Sequence, residues 1–189
     1  MVDESSPQNS ELLTRIQFQV KGAQEITDQD LEDLRQFSDK SINLALEEVE
    51  GKTEKWEDSW ETAYVNSKAL TAVKTAKLNN NPASIVLARD QQGELMGYSM
   101  VVINKTPHSA LDSLNETFIS VRSDVQKQGI GTEILRIRIE TLKRLGIKIY
   151  QTNARPAAIN LYDRLGIHYT AEALPDSREG AKRLTVYLE

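Results

Sequence analysis

The chain has 189 residues, 39% of them hydrophobic, with 28 acidic and 23 basic side chains for a net charge of −5. That length supports one full-sized core, and the absence of cysteine excludes disulfides, thiolate metal sites and a cysteine nucleophile. Two isolated histidines, His108 and His168, give no zinc constellation, and no arginine-rich tract points to nucleic acid.

No apolar run reaches the ~18 residues of a membrane helix, and the start, MVDESSPQNSELLTR, is too acidic and polar for a secretory signal. The expectation is a cytoplasmic protein without metal, membrane or nucleic-acid partners. Charge is unevenly spread. Residues 1–63 carry sixteen acidic and six basic side chains, and the remainder carries twelve and seventeen. Such a split suits an anionic ligand on one surface and a cationic one on another, with plain solubility as the alternative.

In chain order, residues 1–13 read as a disordered leader and 14–189 as a single domain. Alternation of Ile16, Phe18 and Val20 with polar residues predicts a half-covered strand. Thr27 then caps a helix, with Asp30 three residues on where a capping box prefers glutamate or glutamine. Residues 38–79 read as interrupted helix, broken near Gly51. Trp56, Trp60 and Tyr64 form one aromatic face, read as packing on a sheet, with a pocket lining as the alternative.

After the break NNNPAS, the runs SIVLARD and LMGYSMVVI flank a turn near Gly93 and predict an antiparallel hairpin. Residues 104–115 read as a polar loop, and ETFISV as the next strand. A helix over 130–145 follows, with Ile134, Leu135, Ile139, Leu142 and Leu145 on its apolar side and Gly146 as its stop. IKIYQT is a strand, 157–165 a helix opened by Pro156 and closed by Gly166, and IHYTAEAL with RLTVYLE an antiparallel pair. The strand-helix-strand unit over 116–152 predicts two parallel strands joined by a right-handed crossover. The fold class is therefore α/β, a mixed, mostly antiparallel sheet with a central parallel pair and flanking helices.

The segment VRSDVQKQGIGTEIL carries the chemistry. A helix start has N–H groups without internal partners and the positive end of the dipole. Gly129 and Gly131 clear side chains from that start, so the amides there suit a phosphate, with a tight turn as the plain alternative. The pattern is neither the three-glycine dinucleotide fingerprint nor a P-loop.

The same segment resembles the central motif of the GCN5-related N-acetyltransferase (GNAT) superfamily. Val121 matches the strand-end valine, Gln126 the Arg/Gln position, and Gly129 and Gly131 the two glycines. RPAAINLYDRLGI is similar to the second signature, through Ala158, Leu161, Tyr162 and Gly166. Three positions depart from the pattern. Arg155 stands where asparagine is common, Val125 where tyrosine or phenylalanine is common, and Ile167 where phenylalanine usually follows the glycine.

The resemblance implies acetyl-CoA as co-substrate, held where two parallel strands splay apart at 116–121 and 148–152. It implies that backbone groups of Phe118, Ile119, Ser120 and Val121 pair with the pantetheine arm. The pyrophosphate would sit on Gln126, Lys127, Gln128, Gly129, Ile130, Gly131 and Thr132, with Arg155 and Ala158 as further cofactor contacts. Direct acetyl transfer to a primary amine in a ternary complex follows. A base is needed because an alkylammonium is mostly protonated at neutral pH. Glu116 is the candidate base, Tyr162 the candidate donor to the leaving thiolate, and an amide near Val121 the oxyanion donor.

Glu47, Glu48, Glu50, Glu54, Glu57, Asp58 and Glu61 lie where such proteins bind the acceptor, which suits a cationic small amine or a peptide N-terminus, although a solvated face explains them equally. The resemblance also leaves room for a homodimer through the last strands. A protein of the same fold that binds acyl-CoA without turnover is the alternative function.

Overall fold

The computed structural model describes residues 13–37, 56–104, 113–174 and 180–188, with the side chains of 56–67, 104 and 113–117 outside that description. Residues 1–12 of the leader expected over 1–13, the break at Gly51, the aromatic face of Trp56, Trp60 and Tyr64, and loop residues 105–112 lie outside the described residues. Within them, strand β1 (Gln17–Gly22) is followed by helix α1 over 28–37 and α2 (Trp56–Asn79). Then come β2 (Ala83–Arg89), β3 (Leu95–Asn104), β4 (Ser113–Val121), α3 (Ile130–Arg144), β5 (Ile149–Ala154), α4 (Pro156–Arg164), β6 (Tyr169–Ala173) and β7 (Lys182–Tyr187). The element order is the one read from the sequence, and β4 begins three residues inside the expected loop. No described helix is long and apolar enough to cross a membrane.

The expected mixed sheet with a central parallel pair does not form. The strands make two separate sheets, β1-β2-β3-β4 and β5-β7-β6, and every pairing in both is antiparallel. β4 ends one sheet and β5 begins the other, and they are neighbours with no ladder between them. The crossover rule applies to strands of one sheet; here the helix joins strands of two sheets, so it dictates no pairing. The result is a seam with an unpaired strand edge on each side.

Alternation sorts the four-stranded sheet's residues between two layers. Ile85, Leu87, Tyr98, Met100 and Val102 face α1 and α2, where Leu34, Phe37, Ala69, Val73 and Ala76 complete one core. On the other face Val86, Ala88 and Met96 pack with Val125, Ile130 and Ile134, and Val101 and Ile103 with Leu135, Ile139 and Leu142. That second layer continues into the three-stranded sheet through Tyr150, Leu184 and Val186. Leu145, assigned to the apolar stripe of α3, is instead 54% exposed, because it caps the helix end beyond the last turn that reaches the core. The β3–β4 ladder slips by one residue between Val102 and Ile103, leaving Asn115 unmatched.

Close backbone approach shapes the C-terminal end of β4. A Cβ on Gly97 would stand 2.9 Å from the Ser120 carbonyl oxygen and 3.1 Å from Ile134 Cδ1, so only glycine lets β3 lie this close to β4 under α3. β4 then leaves the sheet with the Arg122 amide donating to the Met96 carbonyl at 2.9 Å.

The start of α1 is held by a buried ion cluster. Asp30 accepts from the Thr27 amide at 2.9 Å while its own amide donates to Thr27 Oγ1 at 3.1 Å, a reciprocal capping box made with aspartate. The same carboxylate meets Lys21 at 2.6 Å and Arg89 at 3.0 Å, tying α1 to β1 and β2. Burial works to raise the Asp30 pKa, but the Lys21 and Thr27 bonds outweigh it and bring it from 3.8 to about 2. A depressed carboxylate stabilises the fold above its unfolded pKa and loses that contribution as pH falls through the folded value. Stability is therefore expected to drop by on the order of 2 kcal/mol from this group across the window from about 4 to about 2. Urea unfolding midpoints against pH test this, and Asp30→Asn is expected to be less stable at neutral pH with a flatter acid limb.

Candidate active site

The N-terminus of α3 lies at the end of β4. After β4 a single 3-10 turn, Ser123–Val125, buries Val125 and returns the chain toward the sheet. Lys127 then takes φ 62 and Gly129 φ 87, both left-handed, and Gly129 is the N-cap of α3. Lysine in that region is uncommon and strained. Gly129 has no side chain to cap the helix, and the first intrahelical bond runs from the Glu133 amide to the Gly129 carbonyl at 3.0 Å. The amides of Ile130, Gly131 and Thr132 thus lie ahead of the helix ladder, at the positive end of the dipole.

The surroundings of this turn are partly apolar. A Cβ at Gly129 would stand 3.2 Å from Leu13 Cδ1, and one at Gly131 would make ordinary contact with Val121 and Leu161 at 3.5 and 3.6 Å. Gln126 turns its side-chain amide onto the Val121 carbonyl at 3.1 Å. Arg122 is ion-paired with Asp124 at 2.6 Å and Glu94 at 3.0 Å. Its pKa is raised, chiefly by the Asp124 hydrogen bond.

Beneath the seam sits a buried polar cluster. Arg138 projects from the core side of α3 and is 3% exposed. Its Nη2 donates to the Tyr162 hydroxyl at 2.8 Å and to the Tyr150 hydroxyl at 3.3 Å, and its Nη1 reaches Ser99 Oγ at 3.5 Å. The Tyr150 and Tyr162 hydroxyls are 3.0 Å apart. One guanidinium therefore spans β3 of the first sheet, β5 of the second and α4. Burial opposes its charge, yet the two tyrosine oxygens outweigh that and its pKa stands above the ordinary value. Burial in turn drives the Tyr162 hydroxyl well above the normal phenol range, with Arg138 acting in the opposite direction.

Residues 44–167 match the model of the acetyltransferase (GNAT) family. The chain belongs to that family. Its fold is also that of solved acetyltransferases of low identity. A phosphinothricin acetyltransferase from Sinorhizobium meliloti in complex with AcCoA is 18% identical, with a TM-score of 0.58 over 91% of this chain and 87% of that one. The spermidine N-acetyltransferase of Vibrio cholerae, with CoA and spermine, is 12% identical with a TM-score of 0.58 over 93% and 96%. The PaiA N-acetyltransferase of Thermoplasma acidophilum, in complex with coenzyme A, is 15% identical with a TM-score of 0.55 over 90% and 99%. No curated protein matches the chain in sequence.

Against the GNAT pattern, the predicted residues fall on three elements, the start of α3, β4 and α4. Gln126, Lys127, Gln128, Gly129, Ile130, Gly131 and Thr132 form the turn and first residues of α3, with Ile130 buried as a core anchor and the others at least partly accessible. Phe118, Ile119, Ser120 and Val121 lie on β4 along the seam; Phe118 packs against the α1 and α2 layer, and Ile119 and Val121 against the α3 layer. Glu116 stands opposite Val102 in the β4 register, and its side chain lies outside the described residues. Arg155 is the N-cap of α4, and Ala158 packs one turn later against the core shared with the second sheet. Tyr162 is 3% exposed, so its hydroxyl belongs to the buried cluster and not to an open surface. Among the described residues no group of three or more potential metal-ligating side chains occurs.

Arg138 was not among the sequence candidates. The signal was present: Arg138 stands four residues after Ile134 and four before Leu142, a charged residue at a core position of an amphipathic helix. Tyr150 carried no comparable mark, since an aromatic in a strand reads as packing.

The two glycines separate in a stability experiment. Gly129→Ala forces a Cβ into a left-handed conformation and is expected to cost about 1 kcal/mol in urea unfolding. Gly131→Ala has normal backbone angles and van der Waals room, so it is expected to leave stability unchanged or slightly raised. Equal losses in both variants would show that the turn's conformation does not depend on Gly129.

Proposed function

We propose that the chain is an N-acetyltransferase that moves the acetyl group of acetyl-CoA directly to a primary amine within a ternary complex. The observation that carries this reading is the uncapped, glycine-opened first turn of α3 at the end of a strand whose outer edge has no ladder partner, in a chain of the GNAT family.

These residues fit the cofactor. Its pyrophosphate matches the amides of Ile130, Gly131 and Thr132, with Gln126, Lys127, Gln128 and Gly129 forming the rim and Lys127 adding charge. Its amide-bearing pantetheine arm matches the unpaired edge of β4 from Phe118 to Val121. Arg155 and Ala158, at the start of α4, serve in this reading as further cofactor contacts. When bound, acetyl-CoA supplies an activated thioester.

The chain's residues then have distinct tasks. The β4 edge orients the acyl group along the seam, and an amide near Val121 faces the charge that develops on the acetyl oxygen. Glu116 takes the proton that the amine must lose before it attacks. Tyr162 supplies a proton to sulfur. The strongly acidic segment Glu47 to Glu61 favours a cationic acceptor such as a polyamine or a peptide N-terminus by charge steering.

Two measurements test the proposal. CoA is expected to raise the unfolding temperature in a concentration-dependent way, with about 2.7 kcal/mol gained at a hundred times its Kd. Acetyl-CoA supplied with polyamines, amino acids and peptides is expected to release thiol with at least one of them, and Glu116→Gln to slow that release by about a hundredfold or more at neutral pH. Protection by CoA with no release across all acceptors would favour a non-catalytic acyl-CoA binder; no protection at all would overturn the reading.

A further inference from the structure

Arg138 stands four residues after Ile134 and four before Leu142, a buried positive charge on the core side of α3. Among the described residues its hydrogen-bond partners are the hydroxyls of Ser99, Tyr150 and Tyr162, and its Nε has none. A buried cation without a counter-charge is costly, and an apolar side chain of similar size in its place is often neutral or stabilising. Stability alone therefore does not account for an arginine at this position.

Its placement supplies what apolar packing does not. α3 is fixed to the first sheet, through Ile130 and Ile134 against Val86, Ala88 and Met96, and through Leu135, Ile139 and Leu142 against Val101 and Ile103. From that base the guanidinium reaches across to the Tyr162 hydroxyl on α4 at 2.8 Å and the Tyr150 hydroxyl on β5 at 3.3 Å. Tyr150, Leu184 and Val186 join the same apolar layer from the second sheet. Apolar burial is non-directional and tolerates one sheet sliding against the other. A planar guanidinium bonded to oxygens on two elements has a fixed reach and direction.

That reach bears on the seam. Ser99, within 3.5 Å of Arg138, lies opposite Ile119 of β4, and Tyr150 is the second residue of β5, so the cluster ties the strand beside β4 to β5. Strands in a ladder lie ~4.8 Å apart, and an extended amide-bearing chain finds free donors and acceptors on a strand edge only while the facing strand is held farther off. We propose that Arg138 is a positioning residue that sets the separation of the β4 and β5 edges and thereby the affinity for the pantetheine arm. The inference rests on the acetyl-transfer reading above and gives the Tyr150 hydroxyl the task of anchor on β5.

Loss of the guanidinium would leave the core satisfied and the seam loose. The Tyr150 and Tyr162 hydroxyls are 3.0 Å apart and keep their bond to each other when Arg138 is removed. The apolar layer remains, so the fold stands while β5 is free to shift toward or away from β4. Stability and affinity for the arm are therefore expected to part company, which a purely structural arginine would not allow.

The test uses two calorimetric ligands, CoA and phospho-ADP, the part of CoA that remains when pantetheine is removed. The ratio of their affinities reads the contribution of the arm. Arg138→Met is expected to weaken CoA binding by about tenfold, the scale of one charge-assisted hydrogen bond, with phospho-ADP affinity unchanged within about twofold and the urea midpoint equal to or above that of the intact chain. Tyr150→Phe is expected to lower the ratio by about threefold, and to add little to Arg138→Met because the bond is already gone. Arg138→Lys keeps the charge without the planar fork and is expected to fall between Arg138→Met and the intact chain. Tyr150→Phe removes one oxygen atom and keeps the ring, so the test stands even where Arg138→Met fails to fold. A purely structural role would lower both affinities together and leave the ratio alone. A ratio unchanged in Tyr150→Phe or in a folded Arg138→Met would overturn this inference with the acetyl-transfer reading intact. Failure of the intact chain to bind CoA would overturn both.

Discussion

The guanidinium of Arg138 joins parts that no backbone ladder joins. β4 and β5 belong to different sheets, and the hydrogen bonds that would ordinarily align adjacent strands are absent along their seam. In their place α3 packs under the first sheet and α4 under the second, and one side chain on α3 reaches hydroxyls on β3, β5 and α4. Directional bonds to a buried charge are stronger than neutral ones and costly to break singly. They give the seam a defined geometry while leaving its strand edges available.

Two demands that would conflict in a continuous sheet are met here by separate devices. A groove for an extended, amide-bearing chain needs unpaired strand edges, which are otherwise a hazard in a folded protein. Rigidity at the same place needs cross-links. The apolar layers supply most of that rigidity, through Ile134, Leu135, Ile139 and Leu142 on α3 and through Tyr150, Leu184 and Val186 in the second sheet. The helix that carries the buried cation also presents its uncapped amides at the end of β4, so the proposed phosphate site and the buried cluster are carried by one rigid element.

Much of this was legible from the residues. The β2–β3 hairpin, the apolar stripe of α3 and the stops at Gly146 and Gly166 follow from local rules, and the element order came from them correctly; the half-covered face expected of β1 holds only in part, since Ile16 is buried while Val20 is 46% exposed. The glycine turn was legible because its chemistry is local: left-handed backbone, a helix start and missing side chains leave marks in a short stretch of sequence. The division into two sheets was not. Whether two strands approach to ladder distance depends on packing between segments far apart in the chain, and a strand-helix-strand pattern is the same in either case. The polar cluster was hidden for a related reason, since Ser99, Arg138, Tyr150 and Tyr162 come from four elements and are unremarkable apart. The aspartate capping box shows a third kind of gap: the shorter side chain serves because Lys21 and Arg89 from the sheet hold the carboxylate in place.

The slip between β3 and β4 at Val102 and Ile103 divides β4 into two parts of opposite phase. Downstream, from Glu116 to Val121, each position inherits its side of the sheet from a direct counterpart on β3; upstream, the odd residue Asn115 resets the count. Deleting Asn115 would restore an unbroken alternation with every other residue still opposite its present counterpart, whereas a deletion elsewhere in the strand would exchange inner and outer surfaces along the portion that shifted. The proposed base, Glu116, adjoins that boundary. Changes of length before Ser113 leave this register untouched, and from Ser113 to Val121 the phase of the strand is locked to its neighbour.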